Sequence, residues 1–585
     1  MVGVRGAAPG SGRGSDNGCV PPSTIRPADT ADPAQTRDAL TSLRPDLVGA
    51  YDEALPGARA AILSRILGAL DREPLPGLAA SAAGGALATF RDGRVVAAPA
   101  AAARPFAQPS PGLTAYLDGT GYTDPGAFLR ALALPAHTDR LAAEIDNSVA
   151  NLALARAANN RATNNRATND QAVNDRAMDS RVGVSQVAIT RSAGSADLDP
   201  AGSRAANPQA AATALRDATG DPDGLGRLEQ RLTDGHPLHP CCRTRGGMTV
   251  ADVLAYAPEH HPVIRLRRLR VPPERWYGDT EPVLFAHPWQ AARLRDSHPW
   301  LVDDGETGPV RPLMSLRTVA PLDGGPHVKT AVDVQMTSAV RTVSPAAVHN
   351  GPALSRLLRE LTRDLPLSVL AETAAGAVIV DGEPQRHLAY LRREAPRVGA
   401  GEAVLPLAAL GTVVDEAVDD PYAWLEVLAT ILVPPLLAVL QRGVALEAHG
   451  QNTLVVLDGG RPVRIVYRDL GGVRVSAHRL QRAGYPAIEL GGDLPSDDPA
   501  VLRTKLAAAL FGTVTAETVA LLERRRGADP ARLWRIIAAQ ARGTEDGRRL
   551  MRDPLPVKAT TAMRLADDPL DDVWAHLPNP MAAYA

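Results

Sequence analysis

The sequence has little cysteine, few aromatic residues and no excess of either charge. Three cysteines occur among its 585 residues, at positions 19, 241 and 242, which excludes a disulfide framework and offers no metal-ligand spacing. Aromatic residues make up only 4% of the chain, so we expect a core of Ala, Leu and Val. The 63 basic and 65 acidic residues nearly cancel, which argues against binding to nucleic acid or to an anionic membrane.

Long hydrophobic runs are also missing. The longest one, Val427–Leu440, is too short to span a bilayer and contains Pro434 and Pro435. The segment Met1–Gly18 lacks the apolar stretch of a secretory signal. Together with the scarcity of cysteine, these absences predict a soluble protein of the reducing cytoplasm.

The length of the chain exceeds what one hydrophobic core supports, so we expect several domains. Residues 1–35, rich in Gly, Pro and Ser, are predicted to be a disordered tail, and residues 36–154 a mostly helical region. Residues 155–210 begin with an Asn-rich five-residue repeat, whose period fits neither a helix nor a strand, and are interpreted as a solvated linker. Residues 226–415 form a strand-containing central domain, and residues 416–585 a C-terminal domain with a helical end.

One strand and two hairpins bear on the candidate site. In the predicted strand His327–Met336, Lys329 lies on the face opposite to the valines. Hairpin turns are predicted at Asp381–Pro384 and at Asp458–Gly460. If the second one turns between its two glycines, residue 450 faces residue 469. This register would gather four polar side chains at one end of the hairpin: His449, Gln451, Asn452 and Asp469.

The first polar cluster is the segment Gly235–Gly247, in which two His-Pro pairs precede two arginines. Proline holds the residue before it in an extended conformation, so the segment is predicted to be an ordered loop. Its imidazoles and guanidiniums suit an anion, and they suit a basic surface loop equally well. A zinc site fits less well, because Cys241 and Cys242 are adjacent and have no partner pair. The residues concerned are His236, His239, Arg243 and Arg245.

Two further clusters carry the parts of a phosphate site. Ser315, Arg317 and Thr318, with Lys329 and Arg341 downstream, supply the hydroxyls and cations that hold a triphosphate. Taken alone, however, these residues fit a half-solvated strand with incidental charges better.

The second of these clusters is Glu447-Ala-His449-Gly-Gln451-Asn452, followed by Arg468-Asp469. A carboxylate beside an amide suits Mg²⁺ bound to nucleotide phosphates. The alternative is a polar hairpin end with satisfied hydrogen bonds. The convergence of four such groups favours a functional site.

Taken together and in this order, the motifs resemble those of the IucA/IucC family, the NRPS-independent siderophore synthetases. The resemblance covers about Glu229 to Leu565. The matching segments are Gly-His-Pro-x-His-Pro-x-x-Arg-x-Arg-x-Gly at 235–247, His-Pro-Trp-Gln at 287–290, Ser-x-Arg-Thr at 315–318, Lys329 with Arg341, Thr-Ser-Ala-Val-Arg at 337–341, Asn-Gly-Pro at 350–352, His-x-Gln-Asn at 449–452 with Arg468-Asp469, Val-Lys-Ala at 557–559 and Met-Arg-Leu at 563–565.

The resemblance implies an α+β multidomain protein with a thumb, fingers and palm, an antiparallel sheet in the central domain and a helical C-terminal part. It implies an ATP-dependent ligase that adenylates citrate or a related polycarboxylate and then condenses it with an amine or hydroxylamine, releasing AMP and pyrophosphate. The implied cofactors are ATP and Mg²⁺. The implied partners are small acids and amines, and homodimers are common in the family.

The resemblance also implies roles for individual residues. Those expected at the nucleotide are Ser315, Arg317, Thr318, Lys329, Arg341, Gln451 and Asn452. Those expected at the carboxylate substrate are His236, His239, Arg243, Arg245, Arg341 and His449. Glu447 or Asp469 would hold Mg²⁺, and Lys329, Arg341 and His449 would act in catalysis, His449 being a candidate to take the proton of the amine.

Two departures and two alternatives stand beside this interpretation. Arg243 replaces the lysine common in the family, and no cysteine follows Cys242, so a cysteine-held iron–sulfur cluster is excluded in the C-terminal part. A kinase-like phosphotransferase is one alternative, although Gln451 stands where its catalytic aspartate would be expected. The other alternative is a non-catalytic siderophore-binding protein or a degenerate homologue.

Overall fold

The computed structural model describes residues 30–79, 86–179, 214–337, 339–569 and 571–585, with side chains throughout except in 161–179. Most of the predicted tail and residues 180–210 of the predicted linker lie outside the described residues. The first described helix begins at Pro33, so its first three residues lie within the predicted tail.

The N-terminal region packs two long helices, Val48–Arg72 and Thr138–Asp179, against each other. The second of these helices runs past residue 154, where the helical region was predicted to end, and continues to Asp179, so the first part of the predicted linker is helical. A small four-stranded antiparallel sheet lies beside these helices and contains the hairpin that turns at Asp92-Gly93.

A six-stranded antiparallel sheet forms the centre of the protein. Its strands, in spatial order, are Trp276–Tyr277, Glu372–Val380, Glu383–Arg393, His327–Thr330, Thr318–Pro321 and Val310–Pro312. The hairpin predicted at Asp381–Pro384 is confirmed: Asp381 and Gly382 have φ of 52° and 85°, which two-residue hairpin turns require.

The single strand predicted over His327–Met336 is wrong in one respect. It breaks at Ala331 into His327–Thr330, within the central sheet, and Val332–Met336, which pairs with Ala339–Arg341. The side chain of Gln290 fixes the break, since it donates to the carbonyl of Ala331 at 2.8 Å and accepts from the amide of Asp333 at 2.8 Å. The His-Pro-Trp-Gln motif therefore shapes the strand that carries Lys329.

The C-terminal region contains a four-stranded sheet in the order Leu367–Val369, Arg461–Tyr467, Thr453–Asp458 and Glu402–Pro406. Its hairpin turns at Gly459 and Gly460, as predicted. The predicted register is wrong by one residue at the site end, where Thr453 pairs with Tyr467. The cause is a bulge between Val456 and Leu457, which the turn residues do not specify.

Two helical segments are long and apolar enough to cross a membrane, judged by length and composition alone. They are Pro421–Arg442, which contains the hydrophobic run noted above, and the continuous helical stretch Pro499–Arg526. Within the protein, 61% and 72% of their most apolar windows are buried, which is typical of core helices.

The N-terminal and C-terminal regions contact each other. The Glu73 carboxylate accepts from the amides of Thr561 and Ala562, both at 2.9 Å, and Arg564 forms a buried ion pair with Glu144. The C-terminal segment therefore closes against the N-terminal helices and, with the central sheet, encloses a cavity. Helices and predominantly antiparallel sheets make this an α+β protein, as predicted.

The remaining elements complete the framework. The other helices are Pro33–Leu43, Ala100–Ala103, Pro125–Leu132, Gly224–Gln230, Val250–Tyr256, Pro288–Ser297, Pro345–Leu361, Val414–Ala417, Ala477–Arg482, Pro530–Ala541, Glu545–Arg552 and Thr560–Leu565. The other strands are Ala88–Thr89, Val95–Ala97, Ala115–Leu117, Thr120–Tyr122, Arg267–Arg270, Val283–Ala286, Val302–Glu306, Val444–Ala445, Arg474–Val475, Leu555–Lys558 and Trp574–Leu577. Short 3₁₀ turns are Pro45–Leu47, Pro258–His260, Pro273–Arg275, Leu407–Thr412 and Pro580–Tyr584.

Candidate active site

A cavity of about 1090 Å³ lies where the N-terminal helices, the central sheet and the C-terminal helices meet. Every residue that the sequence predicted for the site lines this cavity. They are His236, His239, Arg243, Arg245, Ser315, Arg317, Thr318, Lys329, Arg341, Glu447, His449, Gln451, Asn452 and Asp469. Segments more than 200 residues apart in sequence thus converge on one space.

The Ser315–Thr318 motif forms a tight turn at the start of a sheet strand. Leu316 has a φ of 65°, and the Ser315 hydroxyl accepts from the amide of Thr318 at 3.3 Å. This turn places Thr318 opposite Lys329 in the central sheet. The Arg317 guanidinium, which donates to the carbonyl of Thr342, is thereby held at the cavity wall.

A buried ion pair joins the central sheet to the late hairpin. Lys329 Nζ lies 2.7 Å from Asp469 Oδ2, and their side chains are 9% and 27% exposed. Burial opposes ionisation of Asp469, but Lys329, Arg393 and Arg317 together hold its pKa well below the usual range. Asp469 therefore enters the cavity as a carboxylate, from a left-handed backbone with a φ of 76°.

Further arginines lie near this ion pair and line the cavity wall beside it. Arg341 donates to the hydroxyl of Thr337, and burial, with smaller contributions from Arg317 and Arg245, lowers the pKa of Arg341 to about 10. Arg393, which the sequence analysis missed, lines the same wall. Among the described residues, its Nε has no hydrogen-bond partner although it is buried. This wall can receive an anion.

The three cavity histidines share one hydrogen-bonding pattern. The Nδ1 atoms of His236, His239 and His449 accept from backbone amides two residues further on, at 3.3, 3.0 and 3.3 Å. Burial lowers the pKa of all three, that of His236 to about 3, so the rings are neutral and carry their proton on Nε2. A ring in this tautomer donates to an anion, which disfavours His449 as the proton acceptor considered above.

Arg243 and Arg245 are committed to a structural contact. Both reach the buried carboxylate of Glu259, at 3.2 and 2.8 Å, and Arg243 also donates to the carbonyls of Thr233 and Leu232. Burial opposes ionisation of Glu259, but the two arginines lower its pKa to about 2. This network orders the 235–247 loop and leaves few donors of Arg243 for a ligand.

Glu447 lies at the hairpin end of the cavity. Its carboxylate is 3.1 Å from Lys505 Nζ, and although burial opposes ionisation, Lys505 and His449 lower its pKa. A Cβ at Gly472 would lie 1.9 Å from Glu447 Oε2, so only glycine leaves this carboxylate its space. The described residues include no group of three His, Cys, Asp or Glu side chains suited to a metal ion. A divalent cation held by Glu447 or Asp469 would therefore need phosphate oxygens as further ligands, which is the usual coordination of Mg²⁺ with nucleotides.

The chain contains three lysines, Lys329, Lys505 and Lys558, and all three line the cavity. Lys505 pairs with Glu447, and Lys558 pairs with Asp572 at 2.8 Å. The sequence analysis assigned no role to Lys505 or Lys558. The composition could have identified them, because almost all of the 63 basic residues are arginine and the few lysines are therefore notable.

The family model "IucA / IucC family" matches residues 225–282 and 277–412. The match to the IucA/IucC family thus covers residues 225–412 of the chain. A second model, "Ferric iron reductase FhuF-like transporter", matches residues 422–568.

A curated protein is similar to part of the chain. Staphyloferrin A synthase of Staphylococcus aureus (strain NCTC 8325 / PS 47) is 30% identical over 318 residues, which is 44% of this chain and 54% of that protein. The chain thus matches about half the length of that curated relative.

Solved structures share the fold. Petrobactin biosynthesis protein AsbB from Bacillus anthracis str. Sterne superimposes with a TM-score of 0.70 at 17% identity, covering 93% of this chain and 98% of that one. The ATP-bound aerobactin synthetase IucA from a hypervirulent pathotype of Klebsiella pneumoniae gives a TM-score of 0.64 at 18% identity, covering 90% and 99%.

Proposed function

We propose that this protein is an ATP-dependent acid–amine ligase of siderophore biosynthesis. It adenylates a carboxylate of citrate or a related polycarboxylate and condenses the product with an amine or hydroxylamine. The observation that carries the proposal is the 2.7 Å contact between Lys329 and Asp469 in one cavity with Arg341 and Asn452. These residues come from distant parts of the chain, and a nucleotide site requires them together.

The reaction suits the charges in the cavity. In the first step a substrate carboxylate oxygen attacks the α-phosphorus of ATP and pyrophosphate leaves. Two anions must meet, so Lys329, Arg317 and Arg341 lower the repulsion and orient the phosphates. In the second step an uncharged amine attacks the acyl carbon, AMP leaves with the former carboxylate oxygen, and the nitrogen loses a proton to solvent or to a second amine molecule.

Mg²⁺ fits the hairpin end of the site, where Asp469 or Glu447 would hold it and where it would neutralise phosphate charge. The Nε2–H groups of His449 and His236 donate to phosphate or carboxylate oxygens. Arg393 adds a fixed cation with an open Nε donor. The N-terminal helices, central sheet and C-terminal region would correspond to thumb, fingers and palm, and Cys241 and Cys242, both free thiols, suit a cytoplasmic enzyme.

Pyrophosphate release tests the proposal. Citrate, succinate and 2-oxoglutarate are screened against diamines, amino alcohols and N-hydroxylated amines, and mass spectrometry identifies the bond formed. We expect acid-dependent formation of AMP and pyrophosphate, and its loss in Lys329→Ala and Arg341→Ala. ADP as the nucleotide product would indicate a phosphotransferase instead, and normal turnover of both variants would overturn the assigned site.

A further inference from the structure

Five acidic residues line the cavity, and four of them have a basic partner. The pairs are Asp234 with Arg156, Glu447 with Lys505, Asp469 with Lys329 and Asp572 with Lys558, at distances of 2.8, 3.1, 2.7 and 2.8 Å. The fifth is Glu517. Within the described part of the chain, its carboxylate has neither a hydrogen bond nor an ion pair.

Glu517 belongs to a part of the cavity away from the Lys505–Glu447 pair. It lies on the helical stretch Pro499–Arg526, twelve residues after Lys505, which corresponds to about 18 Å along a helix. Facing it are Arg65, from the helix Val48–Arg72, and Arg524, from its own helix. This lobe of the cavity is therefore formed between the N-terminal and C-terminal regions.

The two arginines near Glu517 already have partners. Arg65 donates to the carbonyl of Pro237 at 3.0 Å and to Cys242 Sγ at 2.7 Å, and Arg524 donates to the carbonyl of Phe106 at 2.9 Å. Burial raises the pKa of Glu517 to about 7, although Arg524 and Arg65 act in the opposite direction. A ligand cation placed at this carboxylate would complete its ionisation.

An irregularity in the helix turns Glu517 toward the cavity. The residues on the cavity side are Lys505, Ala509, Thr513, Glu517, Leu521 and Arg524. Successive steps of four residues would carry this face about 160° around a regular α-helix by Leu521. The π-helical turn Leu510–Thr515 takes up much of that rotation, and the Thr513 hydroxyl bonds to the carbonyl of Ala508, five residues earlier. Such turns recur at functional sites.

We infer that Glu517 binds a second ammonium group of the amine substrate, remote from the nitrogen that forms the amide. This rests on the proposed function, whose amine it restricts to diamines and polyamines. A nitrogen held as an ammonium by a carboxylate has no free electron pair, so the nucleophile must be the other end of the molecule.

Matched amines test the inference in the full-length protein with ATP, Mg²⁺ and citrate. Each diamine from 1,3-diaminopropane to 1,6-diaminohexane is compared with the amino alcohol of equal length, and the amide is quantified by mass spectrometry. We expect the wild type to prefer diamines, and Glu517→Gln to lower that preference in kcat/KM by about 10- to 100-fold. Glu517→Asp, which keeps the charge, should retain more of the preference than Glu517→Gln.

The control is Glu523→Gln, an exposed position on the same helix, which should leave the preference unchanged. A preference within twofold of wild type in Glu517→Gln, or equal losses for both amines, would overturn the inference. Thermal unfolding of Glu517→Gln establishes that the isosteric variant is folded.

Calorimetry separates this inference from the proposed function. 1,5-Diaminopentane is titrated into the protein without ATP or citrate, and we expect binding to weaken about tenfold or more in Glu517→Gln. If no acid supports pyrophosphate release but this difference persists, the ligase proposal fails and the ammonium site stands. If the wild type binds no diamine, the ammonium site is refuted whatever the enzymatic result.

Discussion

Replacing Lys329 by methionine removes one charge from the cavity and leaves the packing of its stem. Breaking a buried ion pair leaves the remaining charge without a partner, which lowers the free energy of unfolding by about 3–5 kcal/mol. Asp469 is 27% exposed and keeps Arg317 and Arg393 nearby, so we expect the lower end, about 3 kcal/mol of unfolding free energy.

The effect on catalysis is separate. A preorganised group that stabilises transition-state charge is worth about 10²- to 10³-fold in rate. We therefore expect citrate-dependent ATP–pyrophosphate exchange to fall by about that factor in Lys329→Met. Adding Asp469→Asn removes the carboxylate charge that Lys329→Met leaves without its partner. The double variant should therefore regain much of the stability but none of the exchange activity.

Urea unfolding and the exchange assay are run on the two single variants, the double variant and one control. The control is Arg363→Met, whose side chain is 74% exposed and pairs with Glu360, at the end of the helix Pro345–Leu361. It should change stability by less than about 0.5 kcal/mol. Exchange in Lys329→Met within about threefold of wild type would refute the reasoning, since it would mean that this lysine faces no phosphate.

Three other predictions concern the surroundings of the site. Gly472→Ala places a Cβ 1.9 Å from Glu447 Oε2, so we expect pyrophosphate release to fall at least tenfold. The control is Gly543→Ala, where a Cβ meets nothing within 4 Å and the rate should not change. Equal rates of the two variants would contradict a role for the space that Gly472 leaves to Glu447. Glu259→Gln leaves two buried arginines without a carboxylate partner and should lower the free energy of unfolding by about 3–5 kcal/mol. Because the pKa of Glu259 in the folded protein is depressed to about 2, its stabilisation is present at neutral pH and is lost as the pH falls below about 4.5. The free energies of unfolding of wild type and Glu259→Gln should therefore converge in acid. A constant difference between them over this pH range would contradict the prediction. His449→Gln keeps a donor and should retain more activity than His449→Ala; higher activity of the alanine variant would contradict the donor role. Because burial lowers the pKa of His449, wild-type rates should show no titration of this residue with a midpoint above its usual pKa of about 6.5.

Local chemistry made part of this fold predictable. The turns at Asp381-Gly382 and Gly459-Gly460 follow from residues that tolerate positive φ, and both are found where expected. The register of the late hairpin is not local. A bulge at Val456 and Leu457 shifts it by one residue, and nothing in the turn sequence specifies that bulge.

The break at Ala331 was hidden for a similar reason. The side chain that holds it, Gln290, lies 41 residues away in sequence, and periodicity within one strand contains no such information. Arg393 and Glu517 were missed because each reaches the cavity through tertiary packing. By contrast, the ordered set of motifs from His236 to Asp469 was sufficient to place every residue of the predicted site on one cavity.

The pairing of charges in the cavity would let it remain folded without ligand and still receive the highly charged nucleotide that we propose. Lys329 and Asp469 neutralise each other in the structure at 2.7 Å, so neither is left as an isolated buried charge. A magnesium nucleotide would offer each of them a replacement: a phosphate oxygen for Lys329 and a cation for Asp469. Because each charge exchanges one partner of opposite sign for another, little desolvation is added on binding. ATP without a divalent cation would satisfy Lys329 but leave Asp469 unpaired, so we expect binding of ATP, measured by calorimetry, to weaken in EDTA, and to do so less in Asp469→Asn.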